Sequence, residues 1–137
     1  SPHNVDIAPD GKRLYTANIG SKDVTVINLA KRKIVARIPL SPPHYGLDVT
    51  PDGRYVFATG IAGSVVNVID TASLKRIKQI EVGQGPHGVR TGADGRYVYV
   101  AVTGPSEVAV IDIETMSVVD TLKPGDRPFW IAMRGNQ

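Results

Sequence analysis

Three histidines are the residues of this chain best suited to binding a metal: His3, His44 and His87, each directly after a proline. Imidazole nitrogens are ligands of zinc, copper and haem iron. If the fold brought the three rings together, they could hold a metal ion or a haem. The chain has no cysteine, which excludes thiolate ligands and disulfides.

The spacing of the histidines favours a packing role over ligation. His3 and His87 are 84 residues apart, twice 42, and Tyr45 and Phe129 occupy the other positions of this 42-residue series. His44 stands one position before the series. Alternation of histidine with other aromatic residues is typical of an aromatic packing position. Ligation by the three histidines remains the alternative.

Acidic residues of the same segments indicate a polar channel. Asp6 and Asp48 are also 42 residues apart, and Arg90 follows them in the series. We expect them to line an axial channel, either as a solvated inner strand or, with His44 and Tyr45, as a site for a small ligand. The candidate ligand-binding residues are His3, His44, Tyr45, Asp48 and His87.

No residue is predicted to be catalytic. The serines lie in turns without a nearby histidine, and no glycine-rich loop leads from a strand into a helix. The residues assign no cofactor, and metal binding by the histidines stays open. The sequence therefore predicts a protein without enzymatic activity of its own, unless it is part of a larger propeller that carries a cofactor.

The candidate residues belong to a 42-residue repeat, whose strands must hold them in place. The repeat runs without a gap from Asp10 to Asp112. Its markers recur at equal spacing: Asp10, Asp52 and Asp94; Gly11, Gly53 and Gly95; Ile27, Ile69 and Ile111; Asn28, Asp70 and Asp112. Four short β-rich runs fill each repeat. A period of about 40–45 residues with four strands is the signature of a β-propeller blade.

Two turns of the repeat have a physical explanation. In Pro51-Asp52-Gly53 the proline presets φ, the aspartate binds the local backbone, and the glycine accepts a positive φ. At the end of the third strand, an Asx residue such as Asp70 or Asp112 is expected to accept the N–H two residues on. The fourth strand mixes charged and apolar residues, as suits an exposed edge.

The repeat predicts one all-β domain, residues 1–137, made of three four-stranded antiparallel blades. The blades cover approximately residues 2–42, 43–85 and 86–127, and residues 128–137 supply the first strand of a fourth. Three blades cannot close a ring. We expect apolar faces at both ends, carrying Tyr15, Val26, Tyr99 and Val110. They would associate with a second copy of the chain or with the remaining blades of a longer propeller.

Composition and charge limit the classes of partner that this chain is expected to bind. The chain has 137 residues, is 42% hydrophobic and carries a net charge of +3. Basic clusters at 31–33 and 75–78 have no counterpart in the third repeat, which disfavours a groove that follows phosphates. No apolar run is long enough for a membrane helix. The chain begins with Ser1, which suggests processing or trimming.

The repeats resemble the YVTN family of β-propeller proteins, as in surface-layer proteins. Four motifs carry the resemblance, which covers nearly the whole chain: Pro86-His87-Gly88, Pro51-Asp52-Gly53-Arg54, Leu14-Tyr15-Thr16-Ala17-Asn18 and Val24-Thr25-Val26-Ile27-Asn28. The later repeats replace Asn18 by Gly60 and Val102. The resemblance implies a propeller of about six to eight blades and an extracytoplasmic location, whether periplasmic, secreted or at the cell surface.

The leading functional interpretation is a non-catalytic binding or scaffold module. The alternative is a fragment of a redox propeller that carries haem or a metal, since the resemblance extends more weakly to such proteins. A second alternative is weak binding to nucleic acid or another anionic surface.

Overall fold

The computed structural model describes residues 1–41 and 44–133, with the backbone alone for residues 44 and 45. It contains three antiparallel sheets. The first is β1 (Pro2–Ile7), β2 (Arg13–Asn18), β3 (Asp23–Asn28) and β4 (Lys33–Pro39); the second is β5 (His44–Val49), β6 (Tyr55–Gly60), β7 (Val65–Asp70) and β8 (Lys75–Glu81); the third is β9 (Pro86–Thr91), β10 (Tyr97–Val102), β11 (Glu107–Asp112) and β12 (Ser117–Leu122). A short 3₁₀ turn lies at Ile61–Gly63. The predicted all-β propeller architecture is confirmed.

Each sheet keeps its strands in chain order, and the first strands are innermost. β1 contacts β5, and β5 contacts β9, so the three first strands lie side by side. The pairing of the third strand with the fourth shifts register at the same repeat position in every blade. The shift follows Val26, Val68 and Val110 of the third strands, where the fourth strand carries one extra residue. Such a bulge strengthens the local twist of the sheet.

The hydrophobic core lies between the blades. One cluster joins blade 1 to blade 2 and includes Tyr15, Val26, Leu47 and Val56. The other joins blade 2 to blade 3 and includes Phe57, Val89 and Val98. In blade 2, neighbouring blades cover both faces of the second and third strands, and burial of this apolar surface stabilises the stack.

Both turns form, with one difference from the prediction. Gly11, Gly53 and Gly95 have φ of 69°, 72° and 68°, and the preceding aspartates accept the N–H two residues on. After the third strand, however, Asp70 accepts the N–H of Ser73, three residues on, at 2.7 Å. Asn28 and Asp112 do the same. The longer span fits because a turn of four residues separates the third strand from the fourth.

The turn glycines give a direct test. Gly53→Val is expected to lower the free energy of unfolding by about 1–2 kcal/mol, because a β-branched residue is strained at φ of 72°. Urea denaturation measures the change. Gly53→Asn is the matched control, since asparagine tolerates the left-handed region and should recover most of the loss. A neutral valine variant would contradict the role given to this turn.

Residues 128–133 differ from the prediction of a strand. They lie against blade 3, where the N–H of Gly88 donates to the carbonyl of Phe129 at 2.9 Å, but they form no strand. Among the described residues no further strand follows for them to pair with, so the ladder that would define a strand is absent. Residues 134–137, also assigned to this strand by the sequence, lie outside the described part of the chain.

Candidate functional site

The inner strands β1, β5 and β9 have two ends with different chemistry. We call the end at residues 2–4, 44–46 and 86–88 the proline end, and the end at residues 6–8, 48–50 and 90–92 the turn end. Four residues along a strand span about 13 Å. The five candidate residues therefore divide: the histidines and Tyr45 belong to the proline end, and Asp48 belongs to the turn end.

At the proline end, His87 is buried and stacks on an aromatic ring. It is 8% exposed, and its ring centroid lies 3.8 Å from that of Phe129 at an interplanar angle of 32°. His3 is exposed and lies near enough for its charge to affect His87. The side chains of His44 and Tyr45 lie outside the described part of the structure, so their place in the site stays a prediction.

The environment of His87 favours its neutral form. Burial lowers the pKa of His87 below its ordinary value of 6.5, and the neighbouring charge of His3 lowers the pKa further. A neutral imidazole has a lone pair on one ring nitrogen. His87 is therefore suited to accept a hydrogen bond or to bind a metal near neutral pH.

The lowered pKa of His87 predicts a pH dependence of stability. In the unfolded chain His87 gains a proton near pH 6.5, whereas the folded state resists protonation. Its contribution to stability is fully present above that pH and is lost as the pH falls through the lower pKa of the folded state. Between about pH 7.5 and 5.5 the free energy of unfolding should therefore fall less for His87→Phe than for the wild type.

The phenylalanine keeps an aromatic ring against Phe129 and removes the titration. His3→Asn is the control: it removes an exposed imidazole and should leave most of the slope. Urea unfolding at each pH gives the measurement. Equal slopes for the wild type and His87→Phe would show that His87 titrates alike in the folded and unfolded states.

A cleft of about 560 Å³ opens beside His87. It is lined by Ile61, Gln84, Gly85, His87, Thr103, Gly104, Arg127 and Phe129. Among the described residues no carboxylate lies within ion-pair distance of the Arg127 guanidinium. Sequence reasoning missed Arg127 because its counterpart one repeat earlier is Gly85, so no periodic signal marked it.

At the turn end, carboxylates tie each inner strand to the next. Asp6 Oδ2 accepts the N–H of Val49 at 2.8 Å, and Asp48 Oδ2 accepts the N–H of Thr91 at 2.6 Å. Arg90 Nη1 lies 3.2 Å from Asp48 Oδ1. One side chain per blade thus forms a polar row across the three inner strands.

Opposing effects act on the pKa of the Asp48 carboxyl. Burial raises the pKa of Asp48 above its ordinary value, and the negative charge of Asp6 raises it too. The Thr91 N–H and the Arg90 guanidinium act in the opposite direction, because both favour the carboxylate. An open cleft of about 600 Å³ lies beside the row and is also lined by Val5, Ile7 and Ala8.

Two kinds of site are absent from the described residues. No group of three or more His, Asp or Glu side chains is placed to hold a metal ion there. No helix in that part of the chain has the length and hydrophobicity of a membrane span.

The sequence matches the family described as Cytochrome D1 heme domain over residues 10–127. No curated protein matches it. Hydrazine synthase of Kuenenia stuttgartiensis is similar in structure, with a TM-score of 0.90 and 28% identity over 94% of this chain. The dihydro-heme d1 dehydrogenase NirN, solved in complex with DHE, has a TM-score of 0.76 and 26% identity over 90% of this chain.

The WD40 repeats of RRP9 match with a TM-score of 0.81 at 15% identity, which supports the fold alone. The chain spans 38% of the hydrazine synthase chain and 28% of the NirN chain. These matches confirm a propeller and do not confirm the YVTN label or a surface-layer character.

The interpretation as a non-catalytic scaffold is wrong. The match to a haem-domain family over residues 10–127 overturns it, and one structural neighbour is named a dihydro-heme d1 dehydrogenase. The alternative, a fragment of a cofactor-carrying propeller, agrees with the matches. The scaffold interpretation came from the aromatic series of His3, Tyr45, His87 and Phe129, which predicts packing. His87 does pack on Phe129, and ligand binding by these residues stays a prediction.

Proposed function

Because the chain belongs to the Cytochrome D1 heme domain family, we propose that it is part of a haem-binding β-propeller, with its proline end forming one wall of the haem site. The observation that carries the proposal is the neutral, buried ring of His87 at the edge of an open cleft. The complete protein is proposed to be an extracytoplasmic enzyme. Its similarity to a synthase and a dehydrogenase supports an enzyme, and the periplasmic location of domains of this family supports that compartment.

The residues that line the cleft beside His87, at the proline end, fit a haem in three respects. His87 would offer a neutral imidazole, a side chain that commonly binds haem iron. Phe129 and Ile61 offer apolar surface to a flat macrocycle. Arg127 offers a guanidinium without a carboxylate partner in the described part of the chain, and haem carries carboxylates that such a group binds.

Each residue has a defined part in this proposal. His87 would bind the iron or donate a hydrogen bond to a group on it, and its burial keeps the ring unprotonated near pH 7. A bound haem would supply redox chemistry at iron, which the side chains of this chain lack.

The proposal is tested by titrating the purified chain with ferric haem and recording the visible spectrum. A Soret band shifted from that of free haem is expected, and His87→Ala should weaken haem binding by at least about tenfold. Asp6→Ala is the control, because Asp6 lies at the turn end and does not line the cleft beside His87, so this variant should leave haem binding unchanged. Binding that is insensitive to His87→Ala, or absent from the wild type, would overturn the proposal.

A further inference from the structure

A cleft of about 710 Å³ lies between blades 1 and 2 at the turn end, and we call it the interblade cleft. Blade 1 lines it with Arg13 and Asn28, among others, and blade 2 lines it with Thr71 and Ala72. Their counterparts one repeat later, at the interface of blades 2 and 3, are Tyr55, Asp70, Ile113 and Glu114. All four positions differ in kind, so the second interface shows what the first has changed.

Two of the changes leave the interblade cleft open. Tyr55 is buried in the core cluster that joins blades 2 and 3, and Ile113 packs against the same cluster. At the interface of blades 1 and 2 these places are held by Arg13 and Thr71, whose polar groups line the cleft. An aromatic ring and a branched aliphatic side chain thus fill the second interface, whereas the first keeps space with polar walls.

The changes also make the interblade cleft less negative than the second interface. Asp70 and Glu114 carry carboxylates, whereas Asn28 and Ala72 are neutral. The exchange of Tyr55 for Arg13 adds a positive charge. These differences all act in the same direction, because each favours a negatively charged group in the cleft.

The half-buried Arg13 guanidinium is held across the cleft with donors to spare. Its Nη1 donates to the carbonyl of Thr71 in blade 2 at 2.7 Å. No carboxylate of the residues that the structure describes lies within ion-pair distance of it. A guanidinium has five N–H donors, so this bond leaves others for a ligand. Carboxylate and phosphate oxygens are the acceptors that match its planar fork.

Two carboxylates also line the interblade cleft, and both are engaged in their own turns. Asp10 Oδ1 accepts the Lys12 N–H at 2.9 Å, and Lys12 Nζ lies 3.9 Å from Asp10 Oδ2. Asp52 Oδ1 accepts the Arg54 N–H at 2.9 Å. Their charges are therefore already shared with turn donors, whereas Arg13 has no such acid.

We propose that the interblade cleft binds a small oxyanion, the carboxylate or phosphate group of a small molecule. Arg13 is its main donor, and the Asn28 amide is a second. One discrete cleft holds one anion, unlike a groove that follows a chain of phosphates. The cleft lies at the turn end, whereas the proposed haem site lies at the proline end, so this inference is independent of haem binding.

The proposal is tested by NMR titration of the isotopically labelled chain with inorganic phosphate and, separately, with succinate, at constant ionic strength. Saturable shifts of the Arg13 Nε–H and Thr71 N–H signals are expected with at least one anion. Which anion binds shows whether the ligand carries phosphate or carboxylate. Arg13→Tyr installs the residue type of the other two blades and should weaken binding by at least about tenfold.

Asn28→Asp tests the charge of the cleft without changing its shape. The turn should persist, because Asp70 and Asp112 accept the same N–H in their own blades. The added carboxylate should weaken anion binding by at least about fivefold. Lys78→Gln is the matched control: it also removes one unit of positive charge, but Lys78 is exposed and does not line the cleft, so the affinity should not change.

Two results would overturn the proposal. One is a wild-type chain whose shifts rise linearly with both anions and never saturate, since this indicates screening rather than a site. The other is an equal affinity for the wild type and Asn28→Asp, which would place the bound anion elsewhere.

Discussion

Gly46→Val is expected to lower the free energy of unfolding by about 3 kcal/mol or more, near or beyond the top of the usual range for overpacking. The first Cβ alone would lie 2.2 Å from the carbonyl oxygen of His87 and 2.9 Å from Thr59 Oγ1. The Thr59 hydroxyl is itself held, because it donates to the His87 carbonyl and accepts the Gly46 N–H, both at 2.7 Å. A side chain at this position must push the inner strands of blades 2 and 3 apart.

Urea denaturation measures the loss, and the chain offers a control at the same repeat position. Asn4 is the counterpart of Gly46 in blade 1 and already carries a side chain, so Asn4→Val should cost less than about 1 kcal/mol. Equal losses in the two variants would mean that the strands at residues 46 and 87 are not in close contact. A variant with a lower midpoint and a changed slope would indicate separation of blade 3 rather than a uniform loss.

Asp48→Ala is expected to destabilise the chain by about 3 kcal/mol, because it leaves two buried or half-buried groups without their acceptor. The Thr91 N–H loses its 2.6 Å hydrogen bond, and Arg90 loses its ion pair. Asp6→Ala is the control, since Asp6 makes the corresponding bond to Val49 N at 2.8 Å but forms no ion pair with an arginine of the described residues. It should cost about 1 kcal/mol. Equal losses would show that the Asp48–Arg90 pair adds nothing.

The raised pKa of Asp48 predicts a pH dependence of stability. Asp48→Asn tests it, because asparagine keeps the shape of the side chain and removes its charge. Because folding favours the protonated carboxyl, its contribution is full below the ordinary pKa of 3.8 and is lost as the pH rises through the folded value. The wild type should therefore lose stability relative to Asp48→Asn as the pH rises from about 3. The lowered pKa values of Asp23, Asp52 and Asp70 have the opposite sign but are common to both proteins. A constant difference would contradict the shift.

The candidate site was only partly predictable from the sequence. The 42-residue series placed His3 and His87 at one strand end and Asp6, Asp48 and Arg90 at one repeat position, because periodicity fixes equivalent places in equivalent blades. It could not show that Asp48 and His87 lie at opposite ends of the inner strands. It also missed Arg127, which reaches the cleft from a crossover loop that differs between repeats.

The structure of a single blade could be predicted from the repeat: its four strands, its turns and its length. These follow from local rules, namely the alternation of β-forming residues, the glycine needed at positive φ, and the Asx residues that close turns. Which face of each blade is covered could not be predicted in this way, because it depends on the packing of one blade on another. Tyr15 and Val26, expected at an open face, are buried by blade 2, and Val110 is buried as well, whereas Leu122 is exposed. Burial depends on which blade packs on which side, and a repeat gives every blade the same residues on both faces.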